Sequence, residues 1–424
     1  MNNYSAFDIR NFGAVGDGVT DNQKAIQNAI DACHEAGGGV VTVSSGRYLF
    51  YPVQLKSNVY LEVCADAVLL AGTDPALYPE VPENPYWNVK FALRHNRRYV
   101  CYAEGAENIG IIGKGKIDFQ GMAFIDYDPT VQKGYGRWKR YSDTEVPGRC
   151  IFFVSCKGVR LEDVTLVDSP GAWFSWILDC EEVRVHGVTM MADVRMPNSD
   201  GLHLGSCRNV IVSDCRFEGG DDAIVLRSMQ EQFSTPRPCE NVTIENCVMH
   251  LGRFSSAVLL GWSHDYAIRN CVVNNLVVSG ASQIVCSWAP TIEFSDSKDP
   301  PRYPDTPPIP PISPLQIENI QFNNITATDV GTILHIKLDD SMPVDYVRNI
   351  AIRNVQASCA QYPCIECSSH HHVSDIELSN INLQISEQSG PDVSEWMSGY
   401  HMVFNHVSNV TLNNFRFQRI DHQD

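Results

Sequence analysis

Short segments in which apolar and polar residues alternate recur along the whole chain. Each segment is rich in β-branched residues, as expected for a strand with one buried face. Clear copies begin at residues 107, 208, 240, 318, 348, 374 and 408, and weaker copies begin at 157 and 181. A strand unit that repeats every 20 to 50 residues is typical of a solenoid. The pattern therefore predicts stacked coils of parallel strands.

A small polar residue, usually asparagine, follows most copies five residues after their first Asn or Asp. The set is Asp214, Asn246, Asn270, Asn324, Asn354, Asn380 and Asn414. Asparagine tolerates left-handed backbone and forms hydrogen bonds within turns, so we expect these side chains to stack as a ladder at one corner. The repeat length drifts, from 32 residues between Asn209 and Asn241 to 24 between Asn241 and Asp265. A β-helix permits this drift because loops of any length can leave a corner.

These features predict an all-β fold, a single-stranded right-handed parallel β-helix that forms one domain over residues 1–424. Two insertions interrupt the repeat. Residues 119–148 are aromatic and charged, and residues 291–314 are rich in proline. We expect both to be long loops over one face, because loops of this length are usually functional or mobile.

The N-terminal region has a different period. Residues 20–37 predict a helix that caps the open end of the first coil, with Thr20 or Asp21 as N-cap and Gly37 just beyond its C-terminus. The apolar positions at helical spacing are Ala25, Ile26, Ala29, Ile30 and Cys33.

Composition narrows the expected partners and location. The net charge of −18 disfavours nucleic acid and anionic membranes as partners. The sequence does not determine the oligomeric state. The 15 cysteines are scattered at strand ends, where small buried hydrophobic residues occur. The chain opens without a secretory signal pattern, and no apolar run approaches the roughly 18 residues of a membrane span. We therefore expect a cytoplasmic protein with reduced thiols, or a secreted protein if a signal peptide is missing from this sequence.

Three carboxylates stand out in the densest polar stretch. Asp200 lies in 198–205, and Asp221 and Asp222 lie in 218–228, so Asp222 follows Asp200 by 22 residues, about one coil. Because adjacent parallel strands lie roughly 4.8 Å apart, we expect the three side chains to converge. Grouped carboxylates can divide the work of glycosidic cleavage, with one protonated as general acid and the others ionised to activate water. A turn ladder or a Ca²⁺ site is the alternative explanation of the same residues.

The motifs Asn198-Ser199-Asp200-Gly201 and Gly220-Asp221-Asp222-Ala223 resemble the active-site motifs of the polygalacturonase family, glycoside hydrolase family 28. The N-terminal stretches 12–22, 37–49 and 55–61 resemble the start of bacterial members. The resemblance implies an inverting hydrolase without cofactor or metal, acting on a carbohydrate. It implies that Asp222 is the general acid, and that Asp200 and Asp221 activate water.

The chain departs from the family pattern at two places. Ser256 stands where the family has the histidine of its Gly-His-Gly motif, and Arg253, His264 or His203 could take over part of that role. The family's Arg-Ile-Lys, which binds a galacturonate carboxylate, corresponds to 284–288, where no cation occurs. Lys337 lies one coil further on. Without an ionic clamp for a carboxylate, we expect a substrate other than plain polygalacturonate, such as a neutral or differently linked sugar.

Further side chains are candidates for binding the substrate. The complete set is Asn198, His203, Arg227, Arg253, Trp262, His264 and Lys337. Tryptophan rings suit the apolar faces of sugars, so Trp138, Trp173, Trp176 and Trp288 are further stacking candidates, with core packing as the alternative.

Three classes of function compete. The first is a glycoside hydrolase acting on a pectin-related or other oligosaccharide, which a loop such as 119–148 could make exo-acting. The second is a polysaccharide lyase or uronate epimerase, which the missing cations disfavour. The third is a non-catalytic carbohydrate-binding β-helix, which the intact aspartate trio disfavours.

Overall fold

A computed structural model describes twelve segments of the chain. They are residues 6–79, 98–127, 138–140, 147–170, 172–196, 198–230, 235–252, 255–262, 265–289, 313–340, 342–386 and 402–420. They form two compact units. The first contains the described residues up to His203 together with Cys207–Gly219, and the second contains Leu204–Ser206 and the described residues from Gly220 onward.

The first part of the chain carries one α-helix, α1 (Gln23–Glu35), and short strands. The strands are β1 (Phe7–Asp8), β2 (Asp17–Asp21), β3 (Gly39–Val43), β4 (Gly46–Phe50), β5 (Val53–Gln54), β6 (Val59–Val63), β7 (Ala67–Ala71), β8 (Tyr99–Glu104), β9 (Glu107–Ile112), β10 (Lys116–Asp118), β11 (Ile125–Tyr127), β12 (Trp138–Arg140), β13 (Arg149–Val154), β14 (Lys157–Glu162), β15 (Thr165–Val167), β16 (Trp173–Leu178), β17 (Glu181–His186), β18 (Thr189–Met191), β19 (Leu202–Gly205), β20 (Arg208–Ser213) and β21 (Arg216–Gly219). Single-turn 3₁₀ helices span Ile9–Phe12, Pro75–Leu77 and Gly121–Phe124.

Three parallel faces build the first unit. One face stacks β5, β8, β13 and β16. The second stacks β3, β6, β9, β14, β17 and β20. The third stacks β4, β7, β10, β15, β18 and β21. Apolar residues at equivalent positions lie above one another in the core: Val159 pairs in register with Val183, which pairs with Val210, and all three are at most 2% exposed.

The second unit has longer strands. They are β22 (Ile224–Arg227), β23 (Cys239–Leu251), β24 (Ser256–Leu260), β25 (Ala267–Ser279), β26 (Gln283–Ala289), β27 (Leu315–Val330), β28 (Thr332–Leu338), β29 (Val344–Cys359), β30 (Cys364–Glu366), β31 (Val373–Ile385), β32 (Val403–Phe404) and β33 (Val407–Arg419). The even-numbered strands form one parallel face. The odd-numbered strands bend around a corner and supply the remaining faces. The predicted parallel β-helix is confirmed.

Two asparagine ladders, rather than one, run along the long strands of the second unit. The residues concerned all have left-handed backbone, for example φ 58° at Asn241 and φ 57° at Asn246. Side-chain hydrogen bonds link Asn241, Asn270, Asn319 and Asn349 in the first ladder, and Asn246, Asn275, Asn324, Asn354, Asn380 and Asn414 in the second. The prediction that Asn270 follows Asn246 in one ladder is therefore wrong, because Asn275 occupies that place.

The N-terminal helix is confirmed, with a different N-cap. All five predicted core positions of α1 are buried, and Gly37 has φ 99° just after the C-cap Ala36. The N-cap is Asn22, whose buried side chain bonds the backbone of Val15, Thr20 and Leu49 instead of the helix. The Asp21 side chain accepts a hydrogen bond from the first helical N–H, that of Gln23, at 2.9 Å. Helix α1 packs on β1, β3, β5 and β6.

Only parts of the two predicted loops lie within the described residues. In 119–148, β11 and β12 pair as an antiparallel hairpin, whereas 128–137 and 141–146 lie outside the described residues. The same holds for 290–312, which contains most of the proline-rich insertion. A single domain over 1–424 stays a prediction. In the part of the chain that the structure describes, no helix has the length and apolar character needed to cross a membrane.

Candidate active site

Asp200 lies on a short turn that leads into β19. Asn198 has left-handed backbone with φ 49°, which turns the chain, and the Ser199 hydroxyl donates to the carbonyl of Met196 at 2.8 Å. The carbonyl of Asp200 accepts the N–H of Phe174 from β16 at 2.9 Å. Asp200 is 5% exposed. Its position is therefore set by backbone hydrogen bonds to the neighbouring coil.

A stacked column of three side chains supports the Asp200 carboxylate. His203 Nε2 lies 2.8 Å from Asp200 Oδ2, and His203 is 3% exposed. The His203 ring stacks on Trp173, with ring centroids 3.5 Å apart and planes 10° from parallel. The guanidinium carbon of Arg149 lies 3.6 Å from the Trp173 centroid. The Arg149–Trp173–His203 column thus holds the imidazole in the orientation that contacts Asp200.

A close approach of backbones fixes the turn from the other side. A Cβ atom at Gly219 would lie 2.7 Å from the carbonyl oxygen of Ser199 and 3.3 Å from its Oγ. Cβ atoms essentially never approach that closely, so this position requires glycine. The end of β21 and the turn that carries Asp200 are therefore packed without space for a side chain.

Asp221 and Asp222 are adjacent carboxylates just before β22. The backbone N–H of Asp222 donates to Asp221 Oδ1 at 3.0 Å. Asp222 Oδ1 accepts the backbone N–H of Ser256, from the next coil, at 2.6 Å. Asp221 is 6% exposed, whereas Asp222 is half-buried. Asp222 is therefore fixed through one oxygen and is the more accessible carboxylate of the pair.

Ser256 occupies the position next to Asp222 where the family resemblance implies a histidine. Its hydroxyl donates to Gln283 Oε1 at 3.3 Å, so Ser256 contacts Asp222 through the backbone. On the following coil, Cys286 packs with Val225 and Leu259. Burial raises the pKa of the Cys286 thiol, and the Asp222 charge raises it further. In the described part of that coil, 283–287, the side chains are uncharged.

Arg227, a predicted substrate-binding residue, forms a buried ion pair. Its Nε lies 2.7 Å from Asp265 Oδ2, and the two residues are 8% and 1% exposed. Burial raises the pKa of Asp265, although the Arg227 charge opposes that effect. Asp265 Oδ2 also accepts the N–H of Trp262 at 3.0 Å. The pair thereby anchors the turn after β24, and substrate contact by Arg227 stays a prediction.

The remaining candidates are distributed along the second unit. Trp262 is half-buried against the Val225, Leu259 and Cys286 cluster. Lys337 lies three coils from Asp222, roughly 14 Å along the stack, and its Nζ is 3.7 Å from Glu366 Oε2. Arg253 and His264 lie outside the described residues.

Two of the tryptophans named as stacking candidates pack against other side chains of the protein. Arg149 and His203 lie against the Trp173 ring, and Trp176 is 0% exposed and stacks on Phe152 at 4.9 Å. The side chains of Trp138 and Trp288 lie outside the described residues. Arg149 is the contributor that sequence reasoning missed, since nothing in its local sequence marks it as part of a site.

Comparisons with known proteins extend these observations. Residues 87–285 match the profile of glycosyl hydrolases family 28, and residues 6–64 match that of "Rhamnogalacturonase A/epimerase, pectate lyase-like". A "Probable polygalacturonase" of Vitis vinifera is 26% identical over 288 residues, which cover 65% of this chain and 56% of that protein. The chain thus spans about half the length of this relative.

Two solved structures share the fold. The hyperthermoactive exopolygalacturonase of Thermotoga maritima superposes with a TM-score of 0.70 at 21% identity, over 97% of this chain and 92% of that one. The family 28 exopolygalacturonase of Yersinia enterocolitica gives 0.65 at 19% identity, over 95% and 78%. At these identities the two structures indicate the fold alone. The family 28 profile match includes both aspartate motifs. Residues 87–285 are therefore similar to glycosyl hydrolases family 28, and the chain shares the β-helix fold of these two structures.

Proposed function

We propose that the chain is an inverting glycoside hydrolase that acts on pectin-derived oligosaccharides. The observation that carries the proposal is the pair of adjacent carboxylates, Asp221 and Asp222, fixed by backbone N–H groups within the family 28 match. Two neighbouring acidic groups at a partly buried position are costly for folding, which favours a functional reason for keeping them. The relatives named polygalacturonase and exopolygalacturonase support pectin as the substrate class.

In this proposal Asp222 is the general acid. It is the more accessible carboxylate of the pair, and crowding by Asp221 favours protonation of one of the two. Asp200 stays ionised beside His203 and, with Asp221, takes a proton from the attacking water. The support for grouping Asp200 with the pair is the sequence spacing of 22 residues, about one coil.

The test is turnover of pectic oligosaccharides by Asp222→Asn. Removing a general acid lowers rates by about 10²–10⁴-fold, so we expect kcat to fall at least 100-fold with the thermal melt unchanged. Asp214→Asn is the matched control, because Asp214 is a corner residue with φ 57°, a conformation that asparagine tolerates. A rate within tenfold of wild type for Asp222→Asn would remove the acid assignment. Unsaturated uronate products would indicate the lyase alternative.

We further propose that the sugar bound beyond the cleavage site is neutral or esterified. The coil that follows Ser256 has uncharged side chains over 283–287, and Lys337 lies one coil later beside Glu366. A carboxylate there would lack charge-assisted hydrogen bonds. We expect kcat/KM for methyl-esterified or neutral-sugar oligomers to exceed that for free galacturonate oligomers. The opposite order would reject the proposal.

A cytoplasmic location is also proposed, on the evidence of the thiols. All 15 cysteines are present as thiols, and all but Cys64 are buried. Exported proteins that are rich in cysteine usually carry disulfides. In this location the enzyme would trim imported fragments, in keeping with exo action. Fractionation of cells that express the natural gene tests this, and recovery of the protein outside the cytoplasm would refute it.

A further inference from the structure

A polar groove runs along the odd-numbered strands of the second unit, beside the second asparagine ladder. It has a volume of about 500 Å³ and extends across β27, β29, β31 and β33. Three spacings between adjacent strands give it a length of roughly 14 Å. Its volume lies within the roughly 300–1,000 Å³ of sites that bind small ligands. The groove can therefore hold a short chain molecule that lies across the coils.

Two rows of exposed side chains line this ladder groove. One row belongs to the ladder, and the other stands two residues later on the same strands. The rows are Asn324, Asn354, Asn380 and Asn414, and Thr326, Gln356, Asn382 and Arg416. Residues between the rows, such as Val355, are buried, so that both rows point away from the core. A further coil stacked on β33 would lengthen the groove and would not cover it.

Both rows have hydrogen-bonding groups to offer a ligand. Each ladder bond uses one N–H and one lone pair of an asparagine amide, as in the bond from Asn380 Nδ2 to Asn354 Oδ1 at 3.0 Å. A primary amide has two N–H groups and two lone pairs on oxygen, so the ladder amides keep a donor and an acceptor. Among the described residues, the four side chains of the second row have no hydrogen-bond partner. The groove therefore presents donors and acceptors at the spacing of the coils.

The ladder groove lacks acidic side chains although the protein is acidic. None of the residues that line it is Asp or Glu, whereas the chain contains 50 acidic and 32 basic residues. Arg416, at one end of the second row, supplies the one charge among these lining residues. A guanidinium binds a carboxylate through two parallel hydrogen bonds. An anionic ligand that the net charge of the protein repels can therefore bind here.

These features favour an oligosaccharide over other chain molecules. Sugar hydroxyls donate and accept hydrogen bonds, as the amides and the hydroxyl of the two rows do. A peptide strand would need an open sheet edge or apolar pockets, but β29 and β31 are each paired on both sides. Nucleic acid requires several cations along its backbone, and the lining of the groove has one.

We propose that the ladder groove is a second, non-catalytic binding site for an acidic oligosaccharide, with sugar hydroxyls on the two rows and a uronate carboxylate on Arg416. The choice of a pectic ligand rests on the proposed function. Asp222 accepts a hydrogen bond from Ser256 of β24, on the face of even-numbered strands, whereas the groove belongs to the odd-numbered strands. The groove therefore holds a pectic chain apart from the proposed cleavage site.

Calorimetric titration of a galacturonate tetramer into the full chain tests this site. Asp222→Asn is present in every sample, so that the ligand is not cleaved. Arg416→Gln should weaken one class of binding sites roughly tenfold, because it removes the charge-assisted hydrogen bonds to the carboxylate. Arg160→Gln is the matched control, since Arg160 is an exposed arginine on β14 of the first unit. Equal affinities in the Arg416→Gln and Arg160→Gln proteins would overturn the proposal.

A ligand without carboxylates separates the ion pair from the rest of the groove. The carboxyl-reduced tetramer should bind with equal affinity whether Arg416 or glutamine is present, and the same loss for both ligands would reject the carboxylate contact. Gln356→Ala should weaken the binding of both ligands a few-fold. Gln384→Ala is its control, because Gln384 is exposed on β31 outside the groove. Equal effects of these two substitutions would reject the second row, and thermal melting verifies that each variant folds.

The titration requires no turnover, so its result is independent of whether the chain hydrolyses pectin. If the wild type cleaves pectic oligosaccharides but Arg416→Gln binds the galacturonate tetramer as the control does, the groove proposal alone fails. If the wild type cleaves none of them but Arg416→Gln weakens binding of the tetramer, the groove proposal stands and the hydrolase proposal fails.

Discussion

Replacement of His203 by leucine tests whether the stacked column positions the Asp200 carboxylate. The change keeps an apolar side chain of similar size against Trp173 but removes the hydrogen bond to Asp200 at 2.8 Å. Hydrogen bonds to charged groups contribute about 1.5–3 kcal/mol. If that orientation is used in the transition state, kcat should fall by roughly 10–150-fold, since about 1.4 kcal/mol corresponds to tenfold.

The same substitution should cost only part of the stability. Leucine leaves the Asp200 carboxylate, 5% exposed, with one partner fewer, at a cost of about 1–3 kcal/mol. For a unit of roughly 200 residues, each kcal/mol lowers Tm by about 2–4 °C. Trp173→Phe is the matched control, because phenylalanine retains a ring between Arg149 and His203 and should keep kcat within a few-fold of wild type.

Initial rates of reducing-sugar release, measured well below the Tm of every variant, provide the assay. A positioning role predicts a lower kcat with KM nearly unchanged, because the substrate contacts are retained. A kcat within twofold of wild type in folded His203→Leu would refute the reasoning. A large rise in KM with kcat unchanged would instead mean that His203 binds substrate, as the sequence alone predicted.

Further predictions concern stability, packing and pH. Asp265→Ala should destabilise the second unit by about 3–5 kcal/mol because it leaves Arg227 buried without this partner; thermal denaturation measures this, and a loss below 1 kcal/mol would contradict it. Gly219→Ala should lower both Tm and kcat, since its Cβ would lie 2.7 Å from Ser199 O, and wild-type values for both would refute the close packing. Burial lowers the pKa of His335 from 6.5 to about 4, so the unfolded chain binds the extra proton first and stability falls as pH decreases from 6.5 to 4. His335→Leu should remove up to about 3 kcal/mol of this decrease in stability at low pH. An unchanged dependence of the free energy of unfolding on pH would argue against it.

Local patterns in the sequence predicted the coil and the helix because both depend on short-range periodicity. Burial of all five apolar positions in α1 followed directly from their 3.6-residue spacing. The ladder prediction was partly wrong because two corner residues, Asn or Asp followed by Asn, lie five residues apart on each long strand. Alignment of the repeats by sequence alone can therefore assign a residue to the wrong corner. This happened at Asn270, which lies in the ladder of Asn241 and Asn319.

Asp265 illustrates the same difficulty. Sequence reasoning counted Asp265 as the start of the repeat that follows the one at Asn241. In the structure Asn270 bonds Asn241 at the equivalent corner, and Asp265 forms the ion pair with Arg227. Nothing in the local sequence distinguishes a corner aspartate from a buried ion-pair partner 38 residues away. Burial and charge compensation decide its role, and both depend on tertiary contacts.

The column that supports Asp200 lay beyond sequence reasoning for a related reason. Its members come from three coils, at positions 149, 173 and 203, and the separations of 24 and 30 residues differ because loop lengths differ. Residue type alone made Trp173 a candidate for sugar stacking, with packing in the core as the alternative. In contrast, the aspartate motifs were recognisable because their residues are contiguous in the chain.

Proton NMR of the first products from a pectic oligosaccharide tests the central claim most directly. If the three carboxylates catalyse a single displacement by water, the newly formed anomeric centre appears first in the inverted configuration and then mutarotates. Retained configuration at the earliest time points, or an unsaturated uronate product, would contradict the proposed mechanism.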